Sequence, residues 1–169
     1  MYSQVSTATH DAVSSYIGRT FQLRRVLGRY FSDDDILELR RIQYSTGALI
    51  SGSTALQFFD RSHYPESDLD IYVGFDGRQD IALWLEEKGY SMKPNDENPG
   101  ASLQVVLDQM ERELLEDDPV YFGSFNVLEF LKNDGNAKIQ LLITSGCPVA
   151  SILKFHSSKY LQAFSFVSY

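Results

Sequence analysis

Apolar residues in the first part of the chain recur at spacings of three and four, which is the period of an amphipathic helix. Between residues 11 and 30 this pattern predicts one helix, although the segment contains Gly18 and Gly28. A second helix is predicted at 33–43, because Ser32 can cap its first turn and three aspartates follow at the positive end of the helix dipole. The aspartate run is therefore interpreted as helix capping and not as a metal site.

Shorter apolar and alternating runs predict strands among further helices. An apolar strand at 48–50 leads into a Ser-Gly-Ser turn and a helix at 54–59, and an alternating strand follows at 69–74. Three more helices are predicted at 79–88, 102–116 and 148–160. A loop is predicted at 93–100, where turn-forming residues are dense, and residues 164–169 either add a strand or fray.

A β-hairpin is predicted near the end of the chain. Two β-rich runs, 125–131 and 138–144, flank the dipeptide Asp134-Gly135, which is typical of a two-residue hairpin turn. Such a turn pairs Asn133 with Asn136. Counted outward, the same register pairs Glu129 with Gln140, and directly opposed residues share a face of the sheet.

Together these elements predict one α+β domain over residues 1–169, with a mixed sheet flanked by helices. The N-terminal helices occupy 11–43, the core occupies 46–146, and a C-terminal helix and tail occupy 148–169. A chain of 169 residues, 43% of them hydrophobic, is long enough to bury a substantial core.

The charge balance bears on the choice of partners. The chain has 15 basic and 23 acidic residues, which gives a formal net charge of −8. A field of this sign repels polyanions, so nucleic acid is disfavoured as a partner. An RNA-modifying transferase would need a basic patch on the first two helices, which contain Arg19, Arg24, Arg25, Arg29, Arg40 and Arg41.

The sequence shows neither a membrane-spanning run nor a signal-peptide pattern, and both bear on the expected cellular location. No apolar run approaches the ~18 residues that span a bilayer, and the N-terminus has no basic flank before an apolar stretch. We therefore expect no membrane association and an intracellular, cytoplasmic protein. The single cysteine, Cys147, supports neither a disulfide nor a zinc module and is expected to be a buried or half-buried thiol.

Two aspartates on one strand and a glycine-serine turn before the preceding helix suggest a site for a cation and an anion. Asp68 and Asp70 alternate with Leu69 and Ile71, so both carboxylates project from one face of the strand, about 6.6 Å apart along the backbone, while the apolar pair points into the core. Mg²⁺ typically binds one or two carboxylates together with substrate phosphates. The turn before the preceding helix, Gly52-Ser53, offers free N–H groups that can bind an anion.

The segments 49–61 and 67–73, with Gly-Ser at a strand-to-helix turn and Asp-Leu-Asp on the next strand, resemble the polymerase-beta-type nucleotidyltransferase superfamily. They are also similar to a group of fungal proteins that share this core. The resemblance implies that Gly52 and Ser53 hold the terminal phosphates of a nucleoside triphosphate. It further implies that Asp68 and Asp70 bind two Mg²⁺ ions, or Mn²⁺ in their place.

The resemblance also implies a third carboxylate on a later strand, and the matching position is Gln140. A glutamine can ligate through its carbonyl but cannot accept a proton, so catalysis depends on a substitute. The predicted hairpin register offers Glu129 for this role. The alternative is that Glu129 is an ordinary outward-facing strand residue.

Other candidates are single residues. Arg61 and Lys138 are candidates for neutralising a triphosphate, and His63 for contacting phosphate or substrate; each is otherwise an ordinary surface side chain. His156 is expected to be packed on its helix, and His10 lies near the end of the chain. The expected function is metal-dependent transfer of a nucleoside monophosphate from a nucleoside triphosphate to a hydroxyl acceptor. The alternative is a catalytically inactive module of this type that binds a nucleotide or a protein partner.

Overall fold

The computed structural model describes residues 7–20, 22–94, 100–116 and 126–154. The helices in these ranges are α1 (Thr7–Thr20), α2 (Leu23–Leu27), α3 (Asp33–Thr46), α4 (Gly52–Asp60), α5 (Arg78–Glu87), α6 (Leu103–Glu116) and α7 (Pro148–Ile152). The strands are β1 (Leu49–Ser51), β2 (Leu69–Gly74), β3 (Tyr90–Met92), β4 (Asn126–Lys132) and β5 (Lys138–Thr144). Among the described residues, no helix is long and apolar enough to cross a membrane.

The strands form one mixed sheet in the order β1-β2-β5-β4-β3. β2 and β5 pair in parallel, whereas the other three neighbouring pairs are antiparallel. Helices flank this sheet, so the predicted α+β fold with a mixed sheet is confirmed.

The two faces of the sheet differ in chemistry. On one face, Leu69 and Ile71 are fully buried, as predicted, and pack into a core with Leu39 of α3 and Leu85 of α5. The other face has polar residues at its centre. At one end of that polar face, Ile152 of α7 covers a small apolar cluster formed by Leu49, Tyr72 and Leu142.

The predicted hairpin register is confirmed, because Glu129 is the partner of Gln140. The turn itself is different: Lys132 N–H donates to the carbonyl of Ala137, which leaves four residues in the loop instead of two. Gly135 adopts a left-handed φ of 74° within this loop. Both turns are centred on the Asp134-Gly135 bond, so they produce the same strand pairing.

The predicted helix at 11–30 is wrong, because the structure has two helices there. Gln22 is extended, with φ −94° and ψ 115°, and precedes the first turn of α2. Val13 and Tyr16 of α1 are each 51% exposed, whereas Leu27 of α2 is buried. Periodicity did not detect the break because each short helix has its own three-to-four spacing.

The capping interpretation of the aspartate run is confirmed. Ser32 and Asp35 form a reciprocal capping box at the start of α3. The helix continues three residues beyond the predicted end and stops at Gly47, which is left-handed with φ 68°.

The remaining differences concern short or terminal segments. β3 was not predicted, because three residues are too few for an alternating pattern to be visible. Cys147 is exposed and not buried, since it lies at the N-cap of α7 on the surface. The predicted continuation of the last helix beyond residue 154, the tail strand at 164–169 and His156 lie outside the described residues.

Candidate functional site

The site is built around a close approach between Gly52 and Asp70. β1 ends at Ser51, which is the register partner of Asp70 on β2, and α4 begins at the next residue. A Cβ on residue 52 would overlap the Oδ2 atom of Asp70. Gly52 also has φ +70°, a conformation that L side chains rarely adopt. Both the backbone and the neighbouring carboxylate therefore require glycine here.

The first turn of α4 lies beside the contact between Gly52 and Asp70. Its N-cap residue, Ser51, makes no capping side-chain hydrogen bond, so the first N–H groups are not covered by that cap. The hydroxyl of Thr54 donates to the carbonyl of Asp68 at 3.0 Å and fixes the helix against the start of β2. These N–H groups and the positive end of the helix dipole favour phosphate binding beside Gly52 and Ser53.

Asp70 is a carboxylate in an unfavourable environment. Burial raises the pKa of Asp70 to about 6, and the negative charge of Asp68 adds to this increase, which the charge of Lys138 partly offsets. No described residue donates a hydrogen bond to its side chain. A bound cation would relieve both the desolvation and the repulsion between the two aspartates.

Lys138 supplies positive charge next to this pair. Its Nζ lies 2.8 Å from Oδ2 of Asp68 and 3.4 Å from Oε1 of Glu129. The hydrogen bond to Asp68 is the main reason that the pKa of Lys138 is raised. The ammonium group therefore stays charged at neutral pH and neutralises Asp68, whereas Asp70 has no ion-pair partner among the described residues.

Glu129 and Gln140 lie on the same polar face as Asp70. Gln140 is the register partner of Asp70 on one side and of Glu129 on the other, so β5 separates the two carboxylates. Gln140 Nε2 donates to Oε1 of Glu129 at 3.4 Å, which leaves its carbonyl oxygen as the remaining acceptor. Nζ of Lys93 lies 3.0 Å from Oε2 of Glu129, and this hydrogen bond lowers the pKa of Glu129.

Four charged residues thus alternate in sign across the polar face, in the order Asp68, Lys138, Glu129 and Lys93. Lys93 lies at the start of the predicted loop, and the sequence does not indicate it as a site residue. No local signal could reveal it, because the pairing of β3 with β4 brings it to Glu129. Tyr72 was also missed: burial, with a contribution from Asp70, raises its pKa to about 12.

Arg61 and His63 are not brought to the carboxylates. Arg61 lies just after the last residue of α4, about 13 Å along the helix from Gly52. Its guanidinium donates to the hydroxyl of Tyr16. Together with His63, it lines a separate cavity.

Two of the six arginines in the N-terminal region, Arg24 and Arg29, are engaged by other residues. Arg24 pairs with Asp33 at 3.1 Å. Arg29 donates to the backbone carbonyls of Pro65, Ser67 and Asn136. His10 lies 3.6 Å from the carboxylate of Asp11 on the exposed side of α1.

The donor set limits the type of metal site that is compatible with this face. Within the described ranges, no group of three His, Cys, Asp or Glu side chains could hold a metal ion. Two adjacent carboxylates are sufficient for Mg²⁺ when substrate phosphates and waters complete its coordination. Asp68 and Asp70 therefore fit a cation that binds together with a phosphate ligand, and do not fit a metal held by protein atoms alone.

No family model matches the chain, and no curated sequence matches it.

Proposed function

We propose that this protein binds a nucleoside triphosphate with Mg²⁺ or Mn²⁺ at the Gly52–Asp70 contact and transfers its nucleoside monophosphate to a hydroxyl acceptor. The observation that carries the proposal is the unpaired, desolvated carboxylate of Asp70, packed against the first residue of α4 and beside Asp68. A carboxylate that a cation would stabilise therefore lies next to backbone N–H groups that can bind an anion. A metal–phosphate ligand meets both.

The chain's own residues would act mainly by positioning the substrate. The N–H groups at Gly52 and Ser53 would bind the terminal phosphates, and Asp68 and Asp70 would hold the cation. A divalent cation bound there would supply positive charge to the phosphates during transfer. Lys138, which already neutralises Asp68, would keep one positive charge at the edge of the site.

A second candidate is that the site binds a nucleotide, or a protein partner, without transferring any group. The specific observation in its favour is the state of the third-carboxylate position. Gln140 cannot accept a proton, and Glu129 is engaged by two ammonium groups that hold its pKa down. Neither residue is therefore a good base for the acceptor hydroxyl.

The test is incubation of the protein with α-labelled nucleoside triphosphates and Mg²⁺ or Mn²⁺, with protein, RNA and small-molecule acceptors offered in parallel. The proposal expects label transfer that is lost in the Asp68→Asn/Asp70→Asn variant. Asp76→Asn, at an exposed position just after β2, is the matched control and should keep the parent activity.

Nucleotide binding by equilibrium dialysis separates the two candidates. Metal-dependent binding that requires both aspartates, without any label transfer, would favour the binding module. Binding that is absent, or that is the same in the double variant and the parent, would refute a nucleotide site at this contact.

A further inference from the structure

A cavity separate from the carboxylate site lies at the opposite end of α4, between α2 and the segment that follows Asp60. Its volume is about 210 Å³, and it is lined by residues 22, 25–26, 57–58 and 61–63. Pockets for drug-sized ligands usually measure 300–1,000 Å³, so this cavity suits a small anion or one end of a small molecule. It is about 13 Å along the helix from Gly52 and shares no residue with the carboxylate site.

Basic side chains line this cavity, although the protein as a whole has a net charge of −8. Arg25, Arg61 and His63 line the cavity, and none of the Asp or Glu residues that the structure describes does. The guanidinium of Arg25 forms no ion pair or hydrogen bond with any residue that the structure describes, unlike its neighbour Arg24, which pairs with Asp33. Asp60 immediately precedes the lining residues 61–63, and its Oδ1 accepts a hydrogen bond from the backbone N–H of Ser62 at 2.8 Å.

The same cavity contains an unsatisfied hydroxyl. The Oγ atom of Ser62 is buried and has no hydrogen-bond partner in the described structure. A buried polar group without a partner is unfavourable and usually marks a ligand, an ion or a water. Gln57, by contrast, is fully engaged by Ser53, Tyr64 and Ser67, so it supports the floor of the cavity without needing a ligand.

The backbone of Arg61 provides independent support. Arg61 has φ 63°, and no other non-glycine residue in the described ranges has a positive φ. It occupies the position after α4 where glycine is the usual residue, because a side chain strains the left-handed conformation. Folding alone would favour glycine there. Strained residues cluster at functional sites, and Arg61 lines this cavity while its guanidinium donates to the hydroxyl of Tyr16.

We propose that this cavity binds the phosphate group of a small phosphomonoester. Two guanidinium groups can each donate paired hydrogen bonds to a phosphate, and the Ser62 hydroxyl can donate another. Phe58, which is partly buried, supplies an apolar wall for the carbon side of the ester. The proposal does not depend on nucleotidyl transfer at Asp68 and Asp70.

Calorimetric titration with inorganic phosphate and with phenyl phosphate, at constant ionic strength, tests the proposal. The parent should bind both probes, and phenyl phosphate should bind more tightly if Phe58 contacts the ester. Arg61→Gly should weaken phosphate binding by about tenfold or more, while its melting temperature stays equal or rises because the strain is relieved. Arg25→Gln and Ser62→Ala should also weaken binding.

Arg41→Gln, at an exposed position on α3, removes the same charge away from the cavity and should bind as the parent does. The Asp68→Asn/Asp70→Asn variant should also retain phosphate binding, so that failure of the nucleotide site and failure of this site are distinguishable. The proposal is overturned if the parent binds neither probe. Equal binding by the parent and the Arg61 and Arg25 variants, or an equal loss in Arg41→Gln, would also overturn it.

Discussion

The carboxylate of Asp70 packs against Gly52 so closely that the α-carbon of residue 52 has no room for a Cβ. This contact joins the end of β1, the start of α4 and the second residue of β2 at one point. It also connects the fold to the proposed function, because the carboxylate is held where the N–H groups of α4 begin.

Substitution of Gly52 by alanine should destabilise the protein more than its backbone conformation alone explains. Gly47→Ala is the matched control: Gly47 has nearly the same φ, +68° against +70°, but a Cβ there has no atom within 4 Å. We expect a cost of about 1 kcal/mol for Gly47→Ala. We expect about 2–4 kcal/mol for Gly52→Ala, because overlap with Asp70 adds to the strain.

Urea unfolding measures both free energies. Gly52→Ala/Asp70→Ala should recover part of the extra loss, since truncation of Asp70 removes the overlapping atoms. Equal costs for the two alanine variants would contradict the structural role given to the contact.

The stability of the protein should depend on the ionisation of Asp70. Burial and the charge of Asp68 raise its pKa from 3.8 to about 6, so the folded state holds the proton more tightly than the unfolded chain. Below about pH 4, Asp70 is protonated in both states and does not lower the free energy of unfolding. As the pH rises through 6, its ionisation progressively lowers the free energy of unfolding.

Asp70→Asn removes that ionisation. Without divalent metal it should be more stable than the parent by about 1–3 kcal/mol at pH 7, with the difference vanishing near pH 4. Urea unfolding across this pH range provides the measurement, and Asp76→Asn controls for the loss of one negative charge. A difference that is constant from pH 4 to pH 7 would argue against the raised pKa.

Lys138 should compete with a divalent cation for Asp68. Lys138→Met removes the ammonium that lies 2.8 Å from Asp68 and keeps most of the side-chain volume. Mn²⁺ alone should then bind more tightly, as measured by calorimetry. Because the ion pair is partly exposed, its loss should cost only about 0–1 kcal/mol of stability.

Lys93→Met is the control for Lys138→Met, because Lys93 also pairs with Glu129 but has no contact with Asp68 among the described ion pairs. It should leave Mn²⁺ affinity unchanged. An equal gain in both variants would indicate a general charge effect and not a metal site at Asp68.

Gln140→Asp tests whether the third carboxylate was lost from a catalytic site. Gln140 pairs in register with both Asp70 and Glu129, so a new carboxylate adds repulsion from two sides and should lower stability at neutral pH. If the parent is inactive, the substitution should create label transfer.

If Glu129 has taken over the role of the third carboxylate, the parent is active and Glu129→Gln abolishes transfer. Gln140→Asn, which changes size without adding charge, should reproduce neither the stability loss nor the gain in activity. No change in turnover or nucleotide binding with any of these substitutions would remove both residues from the proposed site.

Local features of the sequence determined much of the fold. The alternating pattern predicted β2 at its observed bounds, and Ser32 with the aspartates after it predicted the start of α3. The Asp134-Gly135 dipeptide predicted the pairing of Glu129 with Gln140, although not the length of the turn. These features depend on periodicity and on contacts within a few residues of each other, which a sequence displays directly.

Only the tertiary structure decided how the charges are paired. Lys93 reaches Glu129 because the three-residue strand β3 pairs with β4 across 36 positions of sequence, and Lys138 reaches Asp68 because β5 lies parallel to β2. Likewise, Arg61 lies beside Arg25 and far from the carboxylates because α4 separates its two ends. The physical reason is that packing between distant segments brings these groups together, and no local spacing encodes it.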